Sequence, residues 1–283
     1  MKNNVKRALL FVIVGIVLFI SIVGVGFYYN MFGLGAKDGE IHFSVDDTIA
    51  VFQDLEENKA DYNSIFDNPM LNFFERCHKK YGAKFSLYCY YESEDFDLSM
   101  VTNRYRDEFL DNSDWLRFGF HYKNGEEPDE ISAEKIIADY QQLIKELLRI
   151  TGSVDTTIRL SYFKGSYEAV SALKEQGVDC LLTADDDRQS YYFDSKVNKY
   201  IDLNDSYYDS SNGMNFVSTD LRLDNTRKIM VYPELIKISM DSNQNKIIAV
   251  FTHEWLMNEN MYDKIEIMCK FAKNYHYSFT MLE

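Results

Sequence analysis

The sequence has few of the residues that interrupt or link domains. Only three prolines occur among its 283 residues, and no Gly/Ser-rich linker, low-complexity tract or internal repeat is present. Apolar residues make up 46% of the chain and aromatic residues 15%, a composition typical of a folded globular protein. The part after the first forty or so residues is long enough for one large domain with its own core.

Positive charge is also scarce. Thirty Lys and Arg residues stand against 45 Asp and Glu residues, which gives a formal net charge of −15. A nucleic-acid partner is therefore not expected, because nothing here would neutralise phosphates. Solubility outside the cell is the simplest interpretation of this acidity.

The four cysteines lack the paired spacing of a metal site. Cys89 and Cys180 lie in predicted core strands, and Cys77 and Cys269 lie on predicted helices. Buried free thiols are the favoured interpretation, although a location outside the cell would permit a disulfide.

One long apolar run stands near the start of the chain. Residues 8–29, ALLFVIVGIVLFISIVGVGFYY, contain no charge and are long enough to cross a ~30 Å hydrocarbon core as a helix. Lys2, Lys6 and Arg7 precede the run, so the positive-inside rule keeps the N-terminus in the cytoplasm. We predict an uncleaved transmembrane signal anchor at the cell membrane.

This prediction divides the chain into a cytoplasmic tail at 1–7, the anchor, a linker at 30–38 and an extracytoplasmic domain at 39–283. No second apolar run is long enough to span a membrane, so the protein is expected to be single-pass. A cleaved signal peptide is the alternative, because small residues follow the run at Gly33, Gly35 and Ala36. The apolar region of a signal peptide is usually shorter, at ~7–15 residues.

Predicted strands and helices alternate along the domain. Asn68, Pro69 and Gly82 delimit one helix, and Ser132 and Gly152 delimit another. Such alternation indicates an α/β fold with a parallel sheet. Because no Gly-rich phosphate fingerprint accompanies it, we predict a distorted (β/α)7 barrel of parallel strands rather than an open nucleotide-binding sheet. The predicted strands are 40–45, 84–91, 115–121, 156–163, 178–184 and 246–254, followed by a last one at 275–282.

The segment 188–232 differs, being rich in Tyr, Asp, Asn and Ser. We predict a small antiparallel insertion, with SYYFD paired against NKYIDL and a further piece at GMNFVSTDLRL. A helix is also predicted over about 97–111, and another over about 258–274.

Polar residues follow the predicted strands at the same end of each. Two adjacent carboxylates, Asp46 and Asp47, come directly after the first strand, where their mutual repulsion calls for a cation, a proton or exposure to water. Parallel strands of a barrel end at one face, which is where barrel catalysis takes place. The residues concerned are Asp46, Asp47, His121, Arg159, Tyr162, Asp185 to Asp187, His253 and Glu254.

The order of the motifs FSVDDT, FGFH, IRLSYF, TADDD and VFTHEW resembles that of the polysaccharide deacetylase superfamily, also called the NodB-homology fold. Proteins of that superfamily form a distorted (β/α)7 barrel and use a divalent metal to hydrolyse N- or O-acetyl groups on cell-surface sugars. The resemblance covers most of residues 40–283. It implies a divalent cofactor, with zinc first and Co, Ni or Mn as options, and a cell-surface or secreted polysaccharide as partner.

The resemblance also implies a role for each matching residue. Asp46 resembles the general base, and Asp47 and His121 resemble metal ligands. Arg159 resembles the arginine that orients the base, and Asp185 or Asp186 resembles the acid that tethers this arginine. His253 resembles the histidine that protonates the leaving group, and Tyr162 the tyrosine whose backbone N–H helps to hold the oxyanion. Trp255 is a second substrate-binding candidate, although barrel packing is its simpler interpretation.

The sequence departs from the superfamily pattern at three positions. Gly125 stands where the pattern has a second histidine, so the third metal ligand is predicted among Glu126, Glu127 and Asp129, with Glu126 preferred. Ser161 replaces the usual proline, and Thr48 replaces a glycine. Two other functions therefore stay open: an inactive barrel that binds glycans or acts as a scaffold, and a metal-free glycoside hydrolase that pairs Asp46 or Asp47 with Glu254.

Overall fold

The computed structural model describes residues 39–122, 132–185, 188–240 and 247–282, together with Gly15. The strands in these ranges are β1 Gly39–Thr48, β2 Phe85–Cys89, β3 Glu92–Ser93, β4 Phe96–Asp97, β5 Leu116–Phe120, β6 Thr157–Ile158, β7 Cys180–Leu182, β8 Ser206–Asp209, β9 Met214–Val217, β10 Leu221–Arg222, β11 Ile247–His253 and β12 Tyr277–Phe279. The helices are α1 Ala50–Glu57, α2 Pro69–Tyr81, α3 Arg106–Asp111, α4 Ala133–Thr151, α5 Tyr167–Glu175, α6 Ser195–Asn204, α7 Val231–Ser239 and α8 Glu259–Tyr275.

The parallel α/β architecture predicted from the sequence is confirmed. Strands β10, β11, β1, β2 and β5 form one parallel sheet in that order, and β12 also pairs with β1. A second sheet has the order β6, β7, β9 and β8, in which only the β8–β9 pair is antiparallel. A parallel bridge between His121 and Arg159 joins the end of β5 to the end of β6. The described strands therefore follow a barrel-like course.

Side chains from the strands of both sheets form an apolar cluster separate from the main core. Tyr88 of β2, Cys180 of β7, Val217 of β9 and Ala249 of β11 pack together although their strands are not all neighbours. They must therefore lie in the space that the strands enclose. The larger core lies between the strands and the surrounding helices, where alternate residues of β1 such as Phe43 are buried.

The helix signals read from the sequence are confirmed where they were strongest. The side chain of Ser132 accepts a hydrogen bond from Lys135 N at the start of α4, and Gly152 ends that helix with φ at +79°. The side chain of Asn68 caps α2, and Gly82 ends it with φ at +68°. Glycine suits both ends because a left-handed residue without Cβ carries no steric penalty.

Local predictions for three segments differ from the structure. The helix predicted over about 97–111 is a 3-10 turn at Leu98–Met100 followed by the short helix α3. NKYIDL is helical within α6, whose N-terminus is capped by Asp194, and the antiparallel pair is instead β8 with β9. The segment 188–232 is also more than an insertion, because β9 and β10 pair with barrel strands β7 and β11.

The predicted anchor at 8–29 lies outside the described residues, apart from Gly15. Within the described parts of the chain, no helix combines the length and apolarity needed to cross a membrane.

Candidate active site

A bulge at the end of β1 brings two adjacent carboxylates to one cavity. The pairing of β1 with β2 shifts register between Val45 and Thr48, and Asp47 has φ at +60°. In a regular strand Asp46 and Asp47 would point to opposite faces. The extra bulge residue in left-handed conformation changes this direction, and aspartate tolerates that conformation better than most residues. Both side chains consequently line the same cavity.

The cavity has a volume of about 410 Å³ and lies at the carboxyl ends of the parallel strands. Six residues singled out from the sequence line it together, although the first and last of them, Asp46 and His253, are 207 positions apart along the chain (253 − 46). They are Asp46, Asp47, His121, Arg159, Tyr162 and His253. The predicted convergence of polar strand-end residues at one opening is therefore present in the structure.

Asp46 and Arg159 form a buried ion pair. Arg159 Nη1 donates to Asp46 Oδ2 over 2.8 Å, and the two side chains are 1% and 2% exposed. Arg159 Nη2 donates to the hydroxyl of Thr219 over 3.2 Å. Among the described residues, Asp46 Oδ1 has no hydrogen-bond partner. Arg159 thus holds one carboxylate oxygen in place while the other is left as an acceptor beside the cavity.

Asp47 lies at the centre of a second group of contacts. Its Oδ1 accepts a short hydrogen bond from the Tyr90 hydroxyl and lies 3.3 Å from His121 Nε2. Its Oδ2 accepts from the indole Nε1 of Trp255 over 2.9 Å. Burial by itself would raise the pKa of Asp47, but these contacts with His121 and Tyr90 outweigh it and hold the pKa below its ordinary value. Asp47 is therefore ionised at neutral pH.

The orientation of His121 suits a metal ligand. Its Nδ1 lies 2.6 Å from the carbonyl oxygen of Arg159 and must donate its proton there. A neutral ring then turns the lone pair of Nε2 toward the carboxylate of Asp47, an arrangement that needs a proton or a cation between them. Metal-bound histidines commonly donate their other ring N–H to a backbone carbonyl in this way.

The spacing of these two candidate ligands fits a divalent cation as well. Ligand atoms bound tetrahedrally at about 2.0–2.1 Å lie roughly 3.3 Å apart, which matches the separation of Asp47 Oδ1 and His121 Nε2. The preferred third ligand, Glu126, lies outside the described residues. Within the described ranges no group of three His, Cys, Asp or Glu side chains is placed to hold a metal. The two described candidates fit a metal, and the third stays a prediction.

His253 has an acidic neighbour that the sequence motifs did not reveal. Its Nδ1 lies 3.5 Å from Asp224 Oδ1, and Asp224 Oδ2 accepts from Arg222 Nε over 2.7 Å. Burial raises the pKa of Asp224, but the nearby imidazole of His253 and the hydrogen bond from Arg222 outweigh it and lower the pKa below its usual value. His253 also faces Asp46 across the β1–β11 pair, since the two residues are register partners. An ionised Asp224 thus lies beside Nδ1 of the His253 imidazole.

Tyr162 lies in a tight turn at the mouth of the cavity. The turn spans Ser161–Phe163, and both Tyr162 and Phe163 are left-handed, with φ at +58° and +59°. This conformation is costly for aromatic residues and occurs mostly where a site requires a particular backbone direction. The predicted strand at 156–163 therefore ends early. The Tyr162 side chain is 52% exposed, and its neighbour Ser161 donates a short hydrogen bond to the carbonyl of Tyr122.

Two predicted acids have other partners. Asp185 forms an ion pair with the nearby Arg188 over 3.0 Å, so its predicted contact with Arg159 is wrong. Arg159 lies within the strands beside Asp46, whereas Asp185 follows β7. The alternative tether Asp186 lies outside the described residues.

Glu254 supplies a helix cap rather than a catalytic carboxylate. Its two oxygens accept hydrogen bonds from three backbone N–H groups at the start of α1, those of Ile49, Ala50 and Val51, over 2.6–2.8 Å. The carboxylate is 8% exposed and is fully engaged there. The metal-free glycosidase hypothesis thereby loses the second carboxylate that it needed.

Sequence reasoning missed Tyr90, Asp224 and Arg222. Tyr90 directly follows β2, so the strand-end rule used for the other residues applied to it as well. Asp224 and Arg222 were hidden because their segment was assigned to an insertion. The pairing of β10 with β11 could not be read from a two-residue strand.

No protein-family model matches the sequence, and no curated protein matches it. Solved structures do resemble it. A family 4 carbohydrate esterase from Streptomyces lividans, in complex with acetate, has a TM-score of 0.51 at 10% identity, covering 87% of this chain and 93% of that chain. A candidate polysaccharide deacetylase from Mycobacterium smegmatis has a TM-score of 0.52 at 8% identity, covering 84% of each chain. At such identities the likeness establishes the fold, and the chain accordingly has the fold of the polysaccharide deacetylase superfamily in a divergent form.

Proposed function

We propose that this chain is a metal-dependent hydrolase that removes acetyl groups from envelope or extracellular polysaccharide. The observation that carries the proposal is the bulge at Asp46 and Asp47, which directs both side chains into a single cavity. Asp46 pairs there with Arg159, and Asp47 lies beside His121. The fold shared with a family 4 carbohydrate esterase supports it. We also propose that the domain is a distorted (β/α)7 barrel.

Asp47 and His121 would hold the divalent cation, with Glu126 as the proposed third ligand and zinc as the first candidate metal. A bound cation would supply Lewis acidity and lower the pKa of an adjacent water. A carboxylate in place of the second imidazole also suits harder ions such as Mn²⁺. The indole of Trp255 donates to the other oxygen of Asp47 and would fix the direction of this ligand.

The remaining residues would move protons and stabilise charge. Asp46 is the proposed base: Arg159 donates to Oδ2 and holds the carboxyl group in place, and Oδ1 is left to accept a proton from water. His253, which lies beside Asp224, would protonate the leaving amine or alcohol. The backbone at Tyr162, in its left-handed turn, would donate to the oxyanion.

The test measures metal content and acetate release on the same preparations. The purified domain should carry about one equivalent of divalent metal and should release acetate from acetylated glycans. Asp47→Asn and His121→Ala should lose both the metal and the activity. Asp46→Asn should keep the metal and lose activity. Asp263→Asn, which removes an exposed carboxylate outside the cavity, is the matched control. Metal-free protein whose activity resists chelators would refute the proposal.

A catalytically inactive, glycan-binding barrel is the second candidate, favoured by Gly125 in place of the usual second histidine. It predicts glycan binding that survives the double change Asp46→Asn and His253→Ala, with no acetate release by the unaltered protein. Turnover that collapses on either single change would exclude it.

We also propose that residues 8–29 anchor the domain outside the cytoplasmic membrane. The uncharged run with Lys2, Lys6 and Arg7 before it supports this orientation. Cell fractionation of the full chain should place it in the membrane pellet, with residues 39–283 open to added protease only from outside. Recovery of a shortened, released domain would indicate a cleaved signal peptide instead.

A further inference from the structure

A second arginine lies at the mouth of the cavity, beside the residues proposed for chemistry. Arg222 belongs to β10, and its register partner on β11 is Phe251. Its side chain lines the same cavity as Asp47 and His253 and is 25% exposed. It is therefore placed to contact whatever occupies that cavity.

Contacts at one edge fix the guanidinium of Arg222. Its Nε donates to Asp224 Oδ2 over 2.7 Å. The central carbon of the guanidinium, Cζ, lies 5.5 Å from the centroid of the Phe251 ring. Arg159 lies against the same ring at 4.2 Å, which places Arg222 close to the Asp46 site. The two terminal nitrogens of Arg222 have no hydrogen-bond partner among the residues that the structure describes. Because a guanidinium is planar and rigid, the bond at Nε sets the direction of both.

The charges around the mouth are arranged with the acids beneath and the guanidinium groups outside. Asp224 is only 6% exposed, whereas Arg222 above it is 25% exposed. Arg188 repeats the pattern: its side chain is 44% exposed, and its partner Asp185 is 9% exposed. An entering ligand therefore meets the guanidinium groups of Arg222 and Arg188 before the acids paired with them, on a chain whose net charge is −15. Over more than a Debye length of about 8 Å the acidic surface elsewhere is screened, so this local charge decides what binds.

We propose that Arg222 binds an oxyanion carried by the polysaccharide, a carboxylate or a phosphate, on a sugar next to the acetylated one. The two terminal nitrogens would grip two oxygens in the paired geometry that guanidinium offers to such groups. The substrate is accordingly an acidic glycan. This inference rests on the proposed function for the polysaccharide nature of the ligand, but the binding itself does not require turnover.

The test uses three matched oligosaccharides: an N-acetylglucosamine tetramer, the same tetramer oxidised to carboxylates at C6, and the same tetramer phosphorylated at C6. Calorimetry at low salt with the metal-loaded protein gives the dissociation constant of each. One or both anionic forms should bind at least tenfold more tightly than the neutral parent. The anion that shows the larger preference identifies the natural group.

Substitutions of Arg222 distinguish the effect of the paired guanidinium geometry from the effect of its positive charge alone. Arg222→Gln should bring the ratio of anionic to neutral affinity close to one, and Arg222→Lys should retain part of the preference. Lys79→Gln, which removes one positive charge from an exposed helical position outside the cavity, should leave the ratio unchanged. Circular dichroism of each variant checks that it folds.

Three results would overturn the inference. They are equal affinity for all three ligands, no measurable binding of either anionic form, and an Arg222→Gln variant that weakens all three in the same proportion. An equal weakening of all three ligands would mean that Arg222 affects binding only indirectly, through Asp224 and His253. Preferential anion binding that depends on Arg222, with no acetate released from any of the three ligands, would uphold this inference and reject the hydrolase.

Discussion

Asp46 and Arg159 join strands that are not neighbours, across the interior of the strand array. Nη1 of Arg159 lies 2.8 Å from Oδ2 of Asp46, and neither side chain is more than 2% exposed. The guanidinium also lies against Phe251 and donates to Thr219. The pair consequently links β1 to β6 and to the segment that follows β9.

Removing one partner of this pair should destabilise the domain strongly. Arg159→Met leaves an uncompensated buried carboxylate and should lower the free energy of unfolding by about 3–5 kcal/mol. The double variant Asp46→Asn with Arg159→Met should be more stable than Arg159→Met alone, because no buried charge is left. Urea denaturation of both variants, the single Asp46→Asn variant and the unaltered domain measures this coupling. A double variant at least as unstable as Arg159→Met would contradict it.

Glu254 should prove to be a structural residue. Because its oxygens accept from the N–H groups of Ile49, Ala50 and Val51, Glu254→Ala leaves these donors without their partner and should cost about 1–3 kcal/mol of stability. Glu254→Gln, which keeps an acceptor oxygen, should cost less. Urea denaturation measures the difference. A Glu254→Gln variant as stable as the unaltered protein but lacking all acetate release would instead restore Glu254 to the chemistry.

The sequence was sufficient to predict the architecture and the gathering of residues at one edge. The 2-residue and 3.6-residue periodicities of β1, α2 and α4 are local, and the strand-end rule then places Asp46, His121 and His253 together. The direction of the Asp47 side chain does not follow from this rule, because the bulge that turns it toward the cavity depends on the register with β2. Sequence alone cannot provide that register.

The contacts of the second half of the chain were least predictable. Helix α6 was mistaken for a strand because YID reads as an apolar alternation, while Asp194 as a helix cap went unnoticed. Asp224 reaches His253 only through the pairing of β10 with β11, which involves two residue pairs. Such short tertiary pairings leave little pattern in the sequence.

Buried His42 should make the domain sensitive to acid. Burial and the nearby positive charge of Arg159 lower the pKa of His42 to about 3, although its hydrogen bond to the Thr280 carbonyl opposes the shift. In the unfolded chain the pKa is about 6.5, so the unfolded state binds the extra proton first as the pH falls. Its contribution to stability is complete above pH 6.5 and is lost progressively as the pH falls toward 3.

Substitution of His42 isolates this effect. His42→Gln removes the titrating group and can still hydrogen-bond to Tyr88, which lies 3.2 Å from Nε2. Between pH 6.5 and 4 the stability of the unaltered protein should fall more steeply than that of the variant, by up to about 1.4 kcal/mol per pH unit. Urea midpoints measured across that range provide the comparison. His276→Gln, at an exposed position, is the control. Parallel pH profiles for unaltered protein and His42→Gln would show that His42 titrates normally.

Trp255 should support metal affinity through its indole N–H rather than through packing. The side chain is 68% exposed, yet its Nε1 donates to Asp47 Oδ2 over 2.9 Å. Trp255→Phe keeps an aromatic face but removes the donor, so the proposed ligand Asp47 loses one of the bonds that orient it. Loss of such an outer partner typically weakens metal binding by about tenfold or more. Competition with a chelator measures the metal affinity, and urea denaturation should show little change because the ring is mostly in water.

Trp115→Phe removes the other indole N–H, which bonds to Asn112, and should leave metal affinity unchanged. If both variants bound metal as tightly as the unaltered protein, the contact between Trp255 and Asp47 would have no role in holding the ion.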